Sequence, residues 1–242
     1  MVEITFNKEA INGYQAGLII LRYFKVRNTL DYIAFENLPD MDERRIDQFT
    51  LKWVTGWFRL LGLFLFKRIR LDYDGEVPKG AILLLQNHFS WWDGYFAWLI
   101  SKKLGKRFYV MMLKEQINAR PFLSKVGAFP VSPGKRSIIE SFRHASRLLS
   151  DDNNLVTIFP EGEIKSIYKP QIKFKPGISL LSANYNYQYH ILFSFVFVDY
   201  FSSPRPTVTI RLHWYDSNDF SVEALESAYN NEFVDMAKKQ IQ

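Results

Sequence analysis

The chain has no cysteine, which rules out a disulfide framework, a thiol nucleophile and a thiolate metal site. That absence fits a reducing cytosol. The opening MVEITFNKEA lacks the basic region followed by an apolar stretch that marks a secretory signal. No segment reaches the ~18 uninterrupted apolar residues that a spanning helix needs. The nearest, WVTGWFRLLGLFLF (Trp53–Phe66), holds Arg59 and runs into Lys67, Arg68, Ile69 and Arg70. Short, aromatic and flanked by cations, it reads as a helix lying in a membrane interface. A helix buried against its own domain is the alternative, and the pattern leaves both open. There is no internal repeat, no low-complexity linker, no zinc-finger spacing, no RNP-like aromatic motif and no long basic helix. The net charge of +6 and pI of about 9.3 therefore favour an anionic partner other than nucleic acid.

Several catalytic signatures are missing as well. No G-x-S-x-G elbow occurs. SPGKRS carries a Gly-Lys pair, but a phosphate-binding loop would need glycine where Phe129 stands. His144, His190 and His213 show no metal-ligand spacing, so neither a metal nor a cofactor is expected. His144, on a polar-rich helix, reads as solvent-facing; His190 and His213, at strand edges, read as structural.

What is present suffices for one sizeable core, since 48% of 242 residues are hydrophobic. Aromatics reach 17%, many beside charges, which suits a surface meeting lipid head groups as well as it suits a Phe-rich core. Residues 1–50 lean acidic through Asp40, Asp42, Glu43 and Asp47, and the stretch from Lys52 to Arg107 leans basic.

The chain divides near residue 70. Residues 1–70 read as an N-terminal helical segment, membrane-associating on the interfacial reading, with MDERRIDQF as a charged start. Residues 71–242 read as one α/β domain, whose first strand candidate, IRLDYDG, straddles the boundary. The other β-like runs are AILLLQN, RFYVMML, LVTIFP, HILFSFVFVDY and TVTIRLHWY. Between them KRSIIESFRHASRLLS sets Ile138, Ile139, Phe142, Ala145, Leu148 and Leu149 on one helical face, and SVEALESAYNNEFVDMAKKQ reads as a closing helix. Strands alternating with helices imply a largely parallel central sheet flanked by helices, with the site where the carboxyl ends of strands meet the following loops.

Two such strand ends carry chemistry. After AILLLQN come His88 and, five residues on, Asp93. On a continuous helix these would sit about 140° apart, so they meet only across a strand-to-helix junction. Ser90 is the expected N-cap, with Asp93 three residues later completing a capping box. That box is also the bland account of the aspartate, with His88 as an ordinary loop histidine. The second strand end, LVTIFPEGEIKS, presents Pro160, Glu161 and Gly162: proline halts the ladder, glycine permits close backbone approach, and glutamate sets a carboxylate at the rim.

NHFSWWD resembles the N-H-x-S-x-x-D signature of the glycerolipid and lysophospholipid acyltransferase family, and FPEG, about 70 residues beyond His88, resembles its third motif. MLKEQINARPFLSKVGAFPV is similar to the second block and FKPGISLLSA to the stretch after the third, so the likeness runs from about Asp72 to Ala183. The resemblance implies acyl transfer from acyl-CoA or acyl carrier protein to a lipid hydroxyl, by default that of a lysophosphatidate or lysophospholipid. It makes residues 71–242 the acyltransferase domain, His88 the general base, Asp93 its orienting partner, and Glu161 and Gly162 acceptor contacts. N–H groups at the helix start near Trp91 would be the oxyanion donors. Where the family closes its second block with an arginine, this chain has Pro133, with Lys135 and Arg136 just after, and the third motif continues Glu163-Ile164-Lys165 instead of Thr-Arg-Ser. Lys165, Lys135 and Arg136 are the candidate replacements for the missing arginine, or else solvated surface cations. Trp91 and Trp92 are candidate acyl-channel residues, or else packing on the sheet. The departures, with no proline in HILFSFVF, also admit a phosphate-free acceptor lipid, and a lipid-binding protein that kept the fold without the reaction. The implied setting is peripheral, on the cytoplasmic side of a membrane.

Overall fold

The computed structural model describes residues 47–73, 75–169, 171–182 and 189–241. The helical reading of residues 1–46 lies outside them. Helix α1 (Gln48–Leu65) begins where Asp47 accepts from the Phe49 N–H at 3.0 Å and also bonds the Thr50 hydroxyl, a side-chain cap for the first-turn donors. The helix stops at Leu65, and β1 (Arg68–Asp72) begins inside the stretch read as helical. β2 (Ala81–Gln86) leads into α2 (Asp93–Lys103) and β3 (Arg107–Leu113). Two short helices, α3 (Lys114–Ala119) and α4 (Phe122–Lys125), then reach β4 (Ala128–Val131). Next come α5 (Lys135–Leu148) and β5 (Asn154–Ile158). A 3-10 turn (Pro176–Ile178) and α6 (Ser179–Ser182) precede β6 (Tyr189–Asp199), β7 (Thr207–Tyr215) and α7 (Val222–Ile241).

The seven strands form one sheet in the order β1-β7-β6-β2-β5-β3-β4, parallel throughout except for the antiparallel β6–β7 hairpin. This is the largely parallel sheet flanked by helices that the alternation implies. β2 shows why it holds. All six of its residues are buried, with Ile82 and Leu84 on one face and Ala81, Leu83 and Leu85 on the other. Each fully buried Leu or Ile contributes about 1.5–3 kcal/mol of transfer free energy, which is why a central parallel strand reads as a continuous apolar run. α1 and α2 cover the first face, and α5 and α7 the second.

One expectation is corrected here, and one strand is added. His144 is buried, 9% exposed, with its ring 5.1 Å from Phe129 in edge contact. α5 buries polar Ser141 and Ser146 beside it because their hydroxyls turn back onto the Ser137 and Phe142 carbonyls, so a polar-looking face packs inward. β4 is a strand that four residues containing Pro130 do not announce; as an edge strand it tolerates a proline that donates nothing to the ladder. Its entry is tight. Gly127 has φ +105° and lies so close to β3 that a Cβ there would stand 2.2 Å from the Phe108 carbonyl oxygen. Gly127→Ala is expected to destabilise the fold by about 2–4 kcal/mol, read as a lowered denaturant midpoint.

Candidate active site

The parallel register brings the carboxyl ends of β2 and β5 side by side, Leu85 opposite Ile158. The chain leaving β2 makes a tight turn before α2, with the Asp93 N–H donating to the Ser90 carbonyl at 3.2 Å. Asp93 is thus the first helical residue, two places earlier than the capping-box reading sets it. Ser90 Oγ accepts from the Trp92 N–H at 3.2 Å, while Asp93 Oδ2 accepts from the Ser90 and Phe89 N–H groups at 2.8 Å each. The reach of the carboxylate back to Ser90 survives; the serine's half of the box is redirected, because its own carbonyl already closes the turn.

The same Oδ2 lies 2.8 Å from His88 Nδ1. The Asp93 side chain is wholly buried and that of His88 is 20% exposed. A carboxylate at Nδ1 fixes the proton there and leaves the Nε2 lone pair as the basic site. Burial pushes the Asp93 carboxyl above its usual range, outweighing the opposing pull of the His88, Ser90 and Phe89 hydrogen bonds. Asp93 Oδ1, also buried, has no hydrogen-bond partner among the described residues. Phe159 stacks on the imidazole with centroids 4.1 Å apart and planes inclined by 16°.

Below the turn, two side-chain amides anchor it. Gln86, fully buried, accepts from Ser194 Oγ at 3.2 Å and donates to the Asp93 carbonyl at 3.1 Å. Asn87 donates to the Val196 carbonyl at 3.0 Å and accepts from the Val196 N–H at 2.9 Å, imitating one more rung of the β2–β6 ladder. Sequence reasoning passed over both. A polar pair closing an apolar strand is the signal that marks them, since buried amides need partners.

Glu161, 4% exposed, accepts from the His88 main-chain N–H at 3.3 Å and faces Lys169 Nζ at 3.4 Å. The Lys165 N–H donates to the His88 carbonyl at 2.8 Å. The segment after β5 therefore grips both polar groups of the His88 residue. Gly162 turns that segment in the left-handed region, φ +66°, with Lys175 close over it. A small pocket, with room for about one water, opens here, lined among others by His88, Glu161, Lys165, Lys169, Ile172 and Phe233. Lys165 pairs with Glu163, whose carboxyl it holds below the usual range.

The other candidates lie elsewhere. Lys135 and Arg136 open α5 after β4, at the far end of the same rim and outside this pocket, and Arg136 pairs with Glu140 at 3.0 Å. Trp92 is buried beneath α1, edge-on to Phe58 and Phe66 at 5.4 and 5.1 Å, and Trp91 is 61% exposed against Phe58. Neither indole lines the pocket. Of the N–H groups from Phe89 to Asp93 only that of Trp91 is uncommitted among the described residues, so it alone of this turn stays a candidate for the expected oxyanion contact. His190 Nε2 lies 2.8 Å from the Lys79 carbonyl, and His213 lies 3.5 Å from Glu232, both away from the pocket. Among the described residues no group of three or more His, Asp or Glu side chains is gathered for a metal.

The Acyltransferase family model matches residues 67–192, just over half of the 242-residue chain, and the protein belongs to that family. No curated protein matches it. Among solved structures it is similar to the 1-acyl-sn-glycerophosphate (LPA) acyltransferase PlsC from Thermotoga maritima. That likeness has a TM-score of 0.53 and 14% sequence identity, and covers 93% of this chain and 97% of the other. At that identity the likeness is one of fold. Membership of the family makes the protein an acyltransferase, and the fold agrees with it.

Proposed function

We propose that the protein is an O-acyltransferase that moves a fatty acyl group from acyl-CoA or acyl carrier protein to a hydroxyl of a lipid acceptor, a lysophosphatidate or lysophospholipid by default. The observation that carries this reading is the 2.8 Å contact between His88 Nδ1 and buried Asp93 at the carboxyl rim of the sheet, beside a pocket. A hydroxyl is a poor nucleophile until a base removes its proton during attack. Neutral His88 serves through Nε2, and Asp93 stabilises the imidazolium that forms. The acceptor oxygen adds to the thioester carbonyl, the tetrahedral intermediate collapses, and the thiolate leaves and takes up a proton. No protein nucleophile is required.

Glu161 and Lys165, which line the pocket, and Gly162, in the turn beside it, are the proposed acceptor contacts, with Lys135 and Arg136 as outer cations further along the rim. Lys165→Gln is expected to raise KM for an anionic acceptor about tenfold, the loss of one charge-assisted contact. Joint replacement of Lys135 and Arg136 by glutamine should change it less than about threefold, because both are exposed, lie outside the pocket, and solvated surface cations contribute little. Steady-state kinetics with lysophosphatidate checks both.

The proposed location is peripheral, on the cytoplasmic side of a membrane. Among the described residues no helix is long and apolar enough to cross one. α1 nevertheless exposes Phe49, Trp53, Trp57, Leu60, Leu63 and Phe64, each at least 41% accessible, while Phe58, Leu61 and Phe66 pack inward. A helix with one apolar face on its domain and a second in solvent, followed closely by Lys67 and Arg68, suits a lipid interface.

Thiol release with a panel of acyl donors and hydroxylated lipids, including phosphate-free ones, with products identified by mass spectrometry, tests the assignment. Acyl-chain binding without thioester consumption would replace it with a non-catalytic lipid-binding role.

A further inference from the structure

We propose that the turn joining β6 to β7, Tyr200–Pro206, is a second membrane-contacting element that acts with the last turn of α1 to seat the His88 rim on an anionic lipid surface. The inference rests on the peripheral association proposed above and adds a named contact and an orientation to it.

The register places the turn. Gln86, the last residue of β2, lies opposite Ser194, and β6 continues through Phe195–Asp199. At about 3.3 Å per residue, β6 overshoots β2 by about 16 Å on the side where His88 emerges. β7 starts at Thr207 opposite Asp199, and β1 starts at Arg68 opposite Thr207. The end of β6, the start of β7 and the start of β1 therefore share the catalytic end of the sheet. Two bonds tie the turn to the end of α1 and the link that follows it: the Lys67 N–H donates to the Pro206 carbonyl at 2.8 Å, and Arg205 Nη1 donates to the Leu63 carbonyl at 3.1 Å. The second satisfies one of the last-turn carbonyls that a helix leaves without an intrahelical partner.

The surface so joined is apolar and cationic together. Leu63 is 71% exposed, Phe64 68%, Tyr200 59% and Phe201 71%. Lys67, Arg68, Arg70 and Arg205 are exposed around them. Rings and aliphatic side chains beside Lys and Arg are the chemistry of the head-group region of an anionic bilayer. Phe201 gives the sharpest indication. The Ser203 N–H donates to the Tyr200 carbonyl at 2.9 Å, so Phe201 is the first central residue of a tight turn. Its φ is +47°, and among the described residues no other non-glycine residue has a positive φ. That conformation favours glycine and costs a bulky residue about 1–2 kcal/mol. Its ring is 71% exposed, so little packing within the domain offsets that cost. An external apolar phase does.

The chain has no cysteine, so Phe201→Cys accepts one environment-sensitive fluorophore and Lys103→Cys, at the opposite end of the sheet, accepts another. With vesicles of mixed phosphatidylcholine and phosphatidylglycerol, the label at 201 is expected to blue-shift and to be quenched by brominated lipid. The label at 103 should do neither. Phe201→Asn tolerates positive φ and keeps the fold, and is expected to weaken vesicle affinity about tenfold with no loss of Tm. If the unlabelled wild-type protein binds these vesicles but the label at 201 stays unquenched and Phe201→Asn binds equally well, the turn is no contact and α1 alone carries the association. If the wild-type protein binds no vesicle, the membrane reading itself fails and this one with it. A blue shift without vesicles, accompanied by a doubled mass, would assign the turn to a second copy of the chain and overturn the proposal.

Discussion

Replacing His88 with alanine is expected to lower kcat about 10³-fold, within the range typical of a positioned general base. The proposed acceptor contacts Glu161, Gly162 and Lys165 all lie on the segment after β5, so KM for both substrates should stay within about threefold, the pattern of an interaction made chiefly in the transition state. Folding should survive. The imidazole is partly exposed and stacked on Phe159, and Glu161 and Lys165 hold the main chain of residue 88, not its ring. Thiol release followed continuously, with circular dichroism as the control for structure, checks both halves. Activity within threefold of wild type would remove His88 from the chemistry and the proposed mechanism with it.

Asp93→Asn should lower kcat by about 10²–10⁴-fold, because an amide neither stabilises the imidazolium nor holds the proton on Nδ1. Its effect on stability runs the other way. The Asp93 carboxyl is raised above its usual value of 3.8 by burial, so its ionised form is less favourable in the folded protein than in the unfolded chain. For such a group the folded state loses stability as pH rises from the unfolded value through the folded one. Below that window both states hold the proton and no penalty exists. The stability of Asp93→Asn relative to wild type is therefore expected to grow from pH 3.8 upward and to level off once the native carboxyl is ionised. Denaturant midpoints of the two proteins across pH 4 to 7 measure it. A difference that shrinks with rising pH would mean that the His88 and main-chain contacts outweigh burial. A residue whose removal costs turnover while easing folding carries the mark of a strained site.

The fold was largely legible because its central strands are extreme. AILLLQ and HILFSFVF can sit only where both faces are covered, and the 3.6-residue pattern of α5 points the same way. β4 was not legible, since its edge position lets it be short and carry proline, which erases the signal. His144 misled because a helix can bury serines by turning their hydroxyls onto its own carbonyls, which no count of polar residues reveals. At the site, the spacing of His88 and Asp93 required a junction, and the structure has one. The choice of Ser90 as helix cap failed by two residues because an [ST]-x-x-[DE] pattern fits both a capped helix and the tighter turn found here. Gln86 and Asn87 were missed because their work depends on Ser194 and Val196, more than a hundred residues away. The contact between Glu161 and the His88 N–H was hidden for the same reason, since nothing local in FPEG says which main chain its carboxylate will hold.

The packing of Trp92 has a practical consequence. Phe58 of α1 and Phe66 just after it clasp its ring, and Phe58 stacks on Tyr95 at 5.6 Å. The helix that exposes aromatic rings outward is thus also the roof over the first residues of α2. Trimming the chain through Phe66 to make it easier to handle would uncover Trp92, Tyr95 and Phe96 at once. A shortened protein of that kind should aggregate or demand detergent, and solubilising changes belong at the outward positions Phe49, Trp53 and Phe64, with the inward ones left intact.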